Sequence, residues 1–305
     1  MKRNNNLTEK EINIIEKGVE IIHSDLNAIN DLIEGFDKSN IISLYANPYT
    51  GKTLLALQES YYLAKKTGKN VLYIETEGGT NRFISRWDSK LKQKYNIKKE
   101  ETPIILQCKR EILDLLEFHG IKLTIDITKK GKTTVIKLEE AKVMPIEKII
   151  QKENIGVIIY DSFTEPFRAF GSASQGLPAR SDTVGYLFEA ILKLIDKYHL
   201  TVITLNHASL NPTNPFAPAE MRGGSVIRYL SKIILYLESF RGVKLANYRK
   251  LHIIRYPDKA AWSQTTYLKY TDDGIRDANI DEIKEITSRK KSKTGEITVE
   301  DESNT

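Results

Sequence analysis

The chain has 305 residues, of which 40% are apolar and 28% are charged, and this composition is typical of a folded protein with one large α/β domain or two small ones. The formal net charge of +6 permits a polyanionic partner, and it fits a lysine-rich solvated surface equally well. A single cysteine, Cys108, excludes an internal disulfide and a cysteine-based metal site, which favours a reducing, cytoplasmic location.

The N-terminal segment, residues 1–35, is predicted to be a helical extension that packs on a larger domain of residues 36–280. Its first residues lack the apolar core of a signal peptide, and the chain has no run of about 18 apolar residues that would predict a membrane span. Residues 7–31 carry apolar side chains at helical spacing. A second short helix is indicated by four apolar residues: Leu26, Ile29, Leu32 and Ile33.

A candidate phosphate-binding loop follows, between an apolar strand at 41–45 and a helix that runs through Ala64. The loop ends in Gly51, Lys52 and Thr53, and this order of strand, tight loop and helix is the layout of a nucleotide site. Backbone N–H groups would face the phosphates, Lys52 would reach the terminal phosphates, and Thr53 would bind a magnesium ion. Alanine replaces the usual first glycine, which a negative φ allows. The predicted nucleotide-binding residues are Ala46, Asn47, Pro48, Tyr49, Thr50, Gly51, Lys52, Thr53 and Leu54.

The next predicted strand, 71–74, is followed closely by two acids and two glycines. Gly78 and Gly79 allow a sharp turn that places Glu77 at the carboxyl edge of the sheet, where ligands bind in such folds. Glu77 is therefore the candidate base that orients an attacking water. Glu75, two residues earlier, is expected to be a surface acid.

Residues 111–144 interrupt the alternation of strands and helices and are predicted to form an insertion. A short helix is indicated up to Gly120, and the residues after it alternate between apolar and polar, which is typical of a half-exposed strand. The basic segment 129–132 separates this strand from a second one at 133–138, so we expect a β-hairpin with a basic tip.

Two later buried strands end in polar residues that complete the candidate site. Asp161 closes the apolar run 155–160 and is predicted to hold the magnesium ion through water. Asn206 and His207 close the run 200–205, where they would contact the terminal phosphate or the attacking water, although a lone histidine is more often structural. The predicted catalytic residues are Lys52, Glu77, Asn206 and His207, and the predicted metal ligands are Thr53 and Asp161.

A loop is predicted after each of these two strands, and a charged tail is predicted at the end of the chain. The first loop, 167–181, is rich in small residues. The second, 208–222, contains Pro212, Pro215 and Pro218, which exclude a helix or a central strand and predict a long mobile loop. Residues 281–305 are strongly charged, so we predict that they are disordered.

Taken in order, these motifs resemble the ATPase core of RecA-type recombinases, in particular archaeal RadA and its shorter paralogues. The likeness extends over residues 23–277 and rests on Gly51-Lys52-Thr53, residues 73–78, 159–162, 167–169, 204–207 and 223–225. It implies an α/β fold with a RecA-like P-loop ATPase core, in which helices flank a mostly parallel central sheet, here with the hairpin insertion. ATP and Mg²⁺ are the implied cofactors, and the implied activity is a weak ATPase that DNA stimulates.

The resemblance also implies a surface for nucleic acid. Segments 167–182 and 208–224 match the two DNA-binding loops of the family, whose cations pair with phosphates and whose aromatic rings stack on bases. The residues that would carry these roles are Arg168, Phe170, Arg180, Phe216 and Arg222. The implied partners are single-stranded DNA, the main RadA recombinase and a second copy of the chain.

Several departures from the family pattern favour a modulating paralogue over a full recombinase. Neither an N-terminal helical DNA-binding domain nor a Phe-x-x-Ala linker is visible, His207 stands where Gln is usual, and residues 255–257 read Arg-Tyr-Pro where Asp-Ser-Pro is usual. We therefore expect a protein that binds ATP and single-stranded DNA and modulates homologous recombination and DNA repair. The sequence leaves two alternatives open, a KaiC-like signalling ATPase or kinase without DNA binding and a non-enzymatic ATP-binding partner module.

Overall fold

The computed structural model describes residues 20–127, 134–141, 144–168, 176–209, 219–222 and 225–288. The strands in these ranges are β1 (Ile21–Ile22), β2 (Phe36–Asp37), β3 (Ile41–Ala46), β4 (Asn70–Glu75), β5 (Ile104–Cys108), β6 (Ile121–Ile127), β7 (Thr134–Glu140), β8 (Ile155–Asp161), β9 (Thr201–Ser209), β10 (Glu220–Met221), β11 (Ile233–Ser239), β12 (Tyr248–Arg255), β13 (Thr265–Thr271) and β14 (Gly274–Ala278). The α-helices are α1 (Asn27–Ile33), α2 (Lys52–Thr67), α3 (Thr80–Lys94), α4 (Ile112–Phe118), α5 (Pro145–Lys152), α6 (Gly176–Tyr198), α7 (Ser225–Leu230) and α8 (Ile280–Ser288). In the part of the chain described, none of these helices combines the length and the apolar character needed to cross a lipid bilayer.

One sheet organises the fold, with the strand order β14-β13-β12-β11-β3-β9-β8-β4-β5 and with β10 paired to the end of β9. The strands from β11 to β5 are parallel, and β12, β13 and β14 extend the sheet with antiparallel pairing. Parallel neighbours need crossover connections, and the helices supply them. The mostly parallel α/β sheet predicted from the sequence is confirmed, and the carboxyl ends of its parallel strands meet at one edge.

Helices cover both faces of the parallel strands. On one face, α1 and α2 pack on a core that includes Leu44, Tyr73 and Ile159. On the other face, α5, α6 and α7 pack on a core that includes Ile41 and Ile158. Strands buried on both faces have continuous apolar runs instead of alternation, which explains how they could be recognised in the sequence. Burial of this apolar surface stabilises the layers by about 25 cal/mol per Å².

The N-terminal segment joins the sheet at its antiparallel end. The Asp277 carboxylate accepts the backbone N–H groups of Asn27 and Ala28 at 3.0 and 2.8 Å, which satisfies donors that the start of α1 leaves unpaired. The four apolar residues that predict this short helix are buried in the core. The longer helix predicted over residues 7–31 lies partly outside the described residues, and β1 stands where it would continue.

The predicted β-hairpin insertion is confirmed. Helix α4 leads into β6, which pairs antiparallel with β7 in a separate two-stranded sheet. The predicted basic tip, 129–132, lies outside the described residues. His119 anchors the base of the insertion: its Nδ1–H donates to the Leu115 carbonyl at 2.7 Å, and the Tyr160 hydroxyl donates to Nε2 at 2.7 Å. Burial lowers the pKa of His119 to about 4, so the ring is neutral at pH 7.

The C-terminal prediction is wrong for residues 281–288, because they form most of helix α8 instead of a disordered tail. The Asn279 side chain accepts the N–H of Glu282 at 2.7 Å and caps the helix. Ile283 and Ile286, one turn apart, belong to a small apolar cluster with Leu245 and Tyr248. The high charge of this segment suggested disorder, but its few apolar residues lie on one side of a short amphipathic helix.

The two predicted loops are shorter than the sequence suggests. Helix α6 begins at Gly176, so it takes up the second part of the loop predicted over 167–182. Strand β9 runs to Ser209 and pairs with Glu220–Met221, so both ends of the loop predicted over 208–222 form a hairpin. Proline excludes a central strand only at its own position, and all three prolines of the second loop fall outside the described residues.

The pH dependence of stability tests the anchoring role of His119. Because its folded pKa is about 4 and its ordinary value about 6.5, the unfolded chain binds a proton between these values that the folded chain does not. The stabilisation is complete above about pH 6.5 and is lost as the pH falls towards 4, by about 3 kcal/mol in total. The free energy of urea unfolding should therefore fall more for the native chain than for His119→Gln. Parallel pH profiles would contradict this assignment.

Candidate active site

The phosphate loop connects β3 to α2 at the carboxyl edge of the sheet. Gly51 precedes the first residue of α2 and has a φ of +104°, a conformation that favours glycine. Tyr49 also has a positive φ, of +61°, and its side chain is fully exposed. Ala46 ends β3 with a backbone that needs no glycine, so the missing first glycine of the motif leaves the loop intact. The unpaired N–H groups at the N-terminus of α2 therefore lie at the phosphate loop.

Lys52 lies at the floor of this loop and is almost completely buried. Its Nζ donates to the Ala46 carbonyl at 3.4 Å. Burial lowers the pKa of the Lys52 ammonium, and the nearby carboxylates of Asp161 and Glu77 act in the opposite direction. The lysine is thus held as a buried cation with a weak neutral contact, an arrangement that is favourable for an anionic ligand.

Asp161, at the end of β8, lies beside the loop as predicted. Its Oδ2 accepts hydrogen bonds from the Thr53 hydroxyl at 2.9 Å and from the Tyr73 hydroxyl at 2.7 Å. Burial raises the pKa of Asp161, and these two hydrogen bonds act to lower it. The carboxylate and the Thr53 hydroxyl offer adjacent hard oxygen atoms, which is the donor chemistry that Mg²⁺ prefers. Sequence reasoning missed Tyr73, although strand alternation places it on the same face of β4 as Glu75, the residue paired with Asp161.

Glu77 and His207 form a hydrogen-bonded pair at the mouth of the cleft. His207 Nε2 lies 2.6 Å from Glu77 Oε1, and since a carboxylate oxygen only accepts, Nε2 carries the proton. The hydrogen bond from His207 lowers the pKa of Glu77, while burial acts in the opposite direction. A ligating oxygen of Glu165 lies within 4.8 Å of this pair. Glu165 was not identified from the sequence, where a Glu before Pro in a loop carries no distinctive pattern.

Glu75 is not the surface acid that the sequence predicts. It is buried, and its carboxylate accepts the backbone N–H of Thr80 at 2.8 Å and the Cys108 thiol at 3.0 Å. Burial acts to raise the pKa of Glu75, but these hydrogen bonds outweigh it and the net pKa is lowered. Because Thr80 is the first residue of α3, Glu75 caps that helix and fixes the turn that carries Glu77.

Asn206 is also placed differently from the prediction. It is completely buried, and its Nδ2 donates to the Thr204 hydroxyl at 3.2 Å and more weakly to the Thr204 carbonyl at 3.4 Å. Successive residues of a strand point to opposite faces, so His207 faces the cleft and Asn206 faces away from it. The structure therefore removes Asn206 from the candidate catalytic set.

Together, these elements enclose a cleft of about 530 Å³ between the phosphate loop and the turn after β4. It is lined by Pro48, Tyr49, Gly51, Lys52, Thr53, Leu54, Glu77, Gly78, Gly79, Thr80, Phe83, Asp161 and His207. Phe83, from α3, adds an apolar wall that the motifs did not indicate. The cleft thus brings together a buried cation, a pair of metal-binding oxygens and a carboxylate oriented by a histidine.

The predicted nucleic-acid residues are only partly described. Arg168 is exposed and forms an ion pair with Glu165 at 2.7 Å. Arg222 is exposed, and its backbone N–H donates to the His207 carbonyl at 2.8 Å. Arg180 lies in the first turns of α6, but its side chain, like Phe170 and Phe216, lies outside the described part. Arg222 is thus hydrogen-bonded to His207, and Arg168 is paired with a carboxylate that lies next to the Glu77–His207 pair.

Comparison with known proteins assigns the chain to a family. A family model described as an AAA domain matches residues 19–211, which is more than half of the chain. The chain belongs to the AAA domain family. The matched segment contains every residue that lines the cleft, so the AAA domain assignment covers the whole candidate site.

Archaeal proteins show a more specific likeness to this AAA domain chain. It is 27% identical over 209 residues to the DNA repair and recombination protein RadB of Methanosphaera stadtmanae, covering 67% of this chain and 75% of that protein. RadB of Methanocaldococcus jannaschii is also 27% identical, over 217 residues that cover 70% of this chain and 85% of that protein. The DNA repair and recombination protein RadA of Cenarchaeum symbiosum is 32% identical over 103 residues, which cover 33% of this chain and 25% of that protein.

A solved structure agrees with the architecture. The crystal structure of the RadB recombinase aligns with a TM-score of 0.57 and 19% sequence identity over 84% of this chain and 98% of that one. At this identity the likeness shows the fold. The predicted RecA-like α/β core is confirmed, and so is the predicted resemblance of this AAA domain chain to archaeal RadA-type paralogues.

Proposed function

We propose that this chain binds ATP with Mg²⁺, hydrolyses the ATP slowly, and binds single-stranded DNA in homologous recombination and repair. The main support is that a buried lysine, a hydroxyl–carboxylate pair and a histidine-bound carboxylate share one cleft. The similarity to RadB and RadA, which are named DNA repair and recombination proteins, supports the biological role. A cytoplasmic protein that modulates a RadA-type recombinase is the form of this role that we favour.

Phosphate binding falls to Lys52 and to the start of α2. The first N–H groups of a helix have no intrahelical acceptors, and the helix dipole adds partial positive charge there, so this end of α2 attracts phosphate oxygens. The buried ammonium of Lys52 lacks a full hydrogen-bonded partner. A triphosphate would supply one, and its negative charge would favour the charged form that burial disfavours.

Thr53 and Asp161 would hold the magnesium ion, and Tyr73 would orient the carboxylate through its hydrogen bond to Oδ2. When bound, Mg²⁺ neutralises charge on the phosphate oxygens during phosphoryl transfer. The proton on the Thr53 hydroxyl now points to Asp161, so the hydroxyl oxygen keeps lone pairs for a cation.

Glu77 would orient the attacking water and accept its proton. Its lowered pKa keeps the carboxylate ionised at pH 7, and His207 fixes its position by donating from Nε2. A base with a lowered pKa orients water well but accepts a proton weakly. Slow turnover is therefore the expected behaviour of this site.

Binding of single-stranded DNA would use the loops after β8 and β9. Arg168 and Arg222 are exposed cations that can pair with phosphates, and Phe170 and Phe216 are aromatic residues on which bases can stack. Stacking tolerates any base, so we expect little sequence preference and weaker binding to duplex DNA. The proposal includes Arg180, which the sequence predicts in the first loop and which lies in the first turns of α6.

Replacing Lys52 tests ATP binding. Lys52→Ala removes a buried cation from the phosphate loop, so ATP affinity should fall by about 10-fold to 100-fold, the range expected for hydrogen bonds to a charged group. Lys66→Ala, at the exposed end of the same helix, is the matched control and should bind ATP like the native chain. Isothermal titration with MgATP measures both. Native affinity in Lys52→Ala would contradict the proposed site.

Replacing Glu77 separates binding from hydrolysis. Glu77→Gln keeps the shape of the side chain but removes the base, so ATP binding should persist while turnover slows by about 100-fold or more. Release of phosphate under saturating MgATP is the measurement, and Glu117→Gln, an exposed acid of α4, is the control. Equal turnover in Glu77→Gln and the native chain would mean that Glu77 is structural. ATP binding without turnover in the native chain would favour a non-enzymatic partner module.

Salt dependence tests the nucleic-acid surface. Arg222→Ala should weaken binding to a labelled oligothymidine and reduce the slope of log K against log salt by about one, because one phosphate contact is lost. Arg241→Ala, an exposed arginine in the turn after β11, is the control. Anisotropy titrations at several salt concentrations give both quantities. Absence of salt-sensitive DNA binding by the native chain would favour the KaiC-like signalling alternative.

A further inference from the structure

Two residues of the antiparallel strands donate hydrogen bonds to backbone carbonyls of the phosphate loop. Arg249, on β12, donates from Nε to the Thr50 carbonyl at 2.7 Å. Tyr270, on β13, donates from its hydroxyl to the Gly51 carbonyl at 3.1 Å. Neither residue lines the cleft or belongs to a motif that the sequence analysis identified, and both lie about 200 residues beyond the loop. Their contacts join the far end of the sheet to consecutive peptides of the phosphate loop.

Hydrogen bonds to these two carbonyls also fix the orientation of the N–H groups that follow them in the chain. A peptide unit is planar and trans, so its C=O and the following N–H point in opposite directions. Fixing the Thr50 carbonyl therefore fixes the N–H of Gly51, and fixing the Gly51 carbonyl fixes the N–H of Lys52. These two N–H groups belong to the turn that begins α2, where phosphate oxygens are bound. The Gly51 carbonyl also accepts the N–H of Leu55 at 3.1 Å, which ties the same peptide to the helix.

Arg249 is itself held in one geometry. Its Nη1 donates to the carbonyls of Ala246 and Tyr248 at 2.6 and 2.7 Å, and its guanidinium carbon lies 4.9 Å from the centre of the Tyr270 ring. Within the described ranges it forms no salt bridge, so no carboxylate neutralises it. The guanidinium thus combines a fixed fork of donors with a free positive charge beside the phosphate loop.

Tyr270 also fits against Gly51. A Cβ added at Gly51 would lie 2.4 Å from Cε1 of the Tyr270 ring, far closer than van der Waals contact allows. Together with its positive φ, this contact means that only glycine fits between the ring and the loop. The ring therefore packs directly against the turn at Gly51 without lining the cleft.

We propose that Arg249 and Tyr270 are positioning residues that hold the N–H groups of Gly51 and Lys52 in the orientation that binds phosphate. This inference rests on the proposed binding of ATP in the cleft. It assigns to the antiparallel strands a part in ligand binding, because a loop that is already ordered loses less conformational entropy when the phosphates bind.

The test uses two conservative variants of the full chain, Arg249→Lys and Tyr270→Phe. Arg249→Lys keeps the charge and loses the fork, and Tyr270→Phe keeps the ring and loses the hydroxyl. Each should bind MgATP about tenfold more weakly than the native chain, which is the effect of about one lost hydrogen bond to a fixed partner. Inorganic tripolyphosphate should lose affinity by the same factor, because it engages only the phosphate loop. The apparent melting temperature without ligand should stay close to the native value.

Matched controls are Arg241→Lys, in the turn before β12, and Tyr267→Phe, on the same strand as Tyr270. Both should bind MgATP and tripolyphosphate like the native chain. Native affinity in Arg249→Lys and Tyr270→Phe overturns the inference, and so does a lowered melting temperature with unchanged affinity, since that pattern marks a purely structural contact. A third variant, Arg249→Met, removes the positive charge as well. If Arg249→Met loses ligand affinity while Arg249→Lys keeps the full native affinity, the arginine acts by its charge alone and the positioning role is overturned. If the native chain binds neither ligand, the proposed function fails, and the inference fails with it.

Discussion

The parallel pairing of β3, β9, β8 and β4 is the constraint on which the rest of the molecule depends. Because neighbouring strands run in the same direction, Ala46 lies opposite His207, and Glu75 lies opposite Asp161. Elements that follow these strands must therefore leave from the same edge of the sheet. Glu77 and His207 meet within hydrogen-bonding distance although 130 residues separate them in the sequence. The site is thus a product of strand direction and register.

Electrostatics then determine what this edge can bind. Lys52 is a buried cation close to the carboxylates of Asp161 and Glu77, and burial acts against the charged form of both Lys52 and Asp161. Buried charges are costly unless they are paired. The cleft balances its charges only in part, because the start of α2 and the guanidinium of Arg249 add positive potential that no described contact with a carboxylate offsets. A ligand that brings several negative charges together with a cation completes the balance, which is the physical reason for favouring a metal-bound triphosphate over a neutral ligand.

The local motifs were readable from the sequence, and the side-chain environments were not. The strand, the Gly-Lys-Thr turn and the helix predicted Lys52 and Thr53 at a phosphate loop, and a continuous apolar run predicted Asp161 at a strand end. Glu75 was assigned to the surface because its burial depends on a tertiary feature. Its carboxylate accepts the N–H of Thr80 only because α3 begins beside the end of β4. Asn206 was grouped with His207 although alternation alone directs it away. Tyr73 lies on the face of β4 that alternation indicates, but its partner Asp161 is on another strand. The roles of Glu165, Arg249 and Tyr270 depend on tertiary contacts for which a single sequence carries no periodic or motif signal.

The contacts around the Glu77–His207 pair connect it to one described arginine from each of the two predicted DNA loops. Arg222 reaches His207 through one backbone hydrogen bond, and Arg168 reaches the neighbourhood of Glu77 through Glu165. The strands themselves are buried on both faces and tightly packed, so their own positions resist adjustment. If DNA binds as proposed, a phosphate at Arg168 would compete with Glu165, whose carboxylate lies within 4.8 Å of the Glu77–His207 pair. Under that proposal, nucleic acid and the candidate base would be coupled through the short contacts at the ends of β8 and β9.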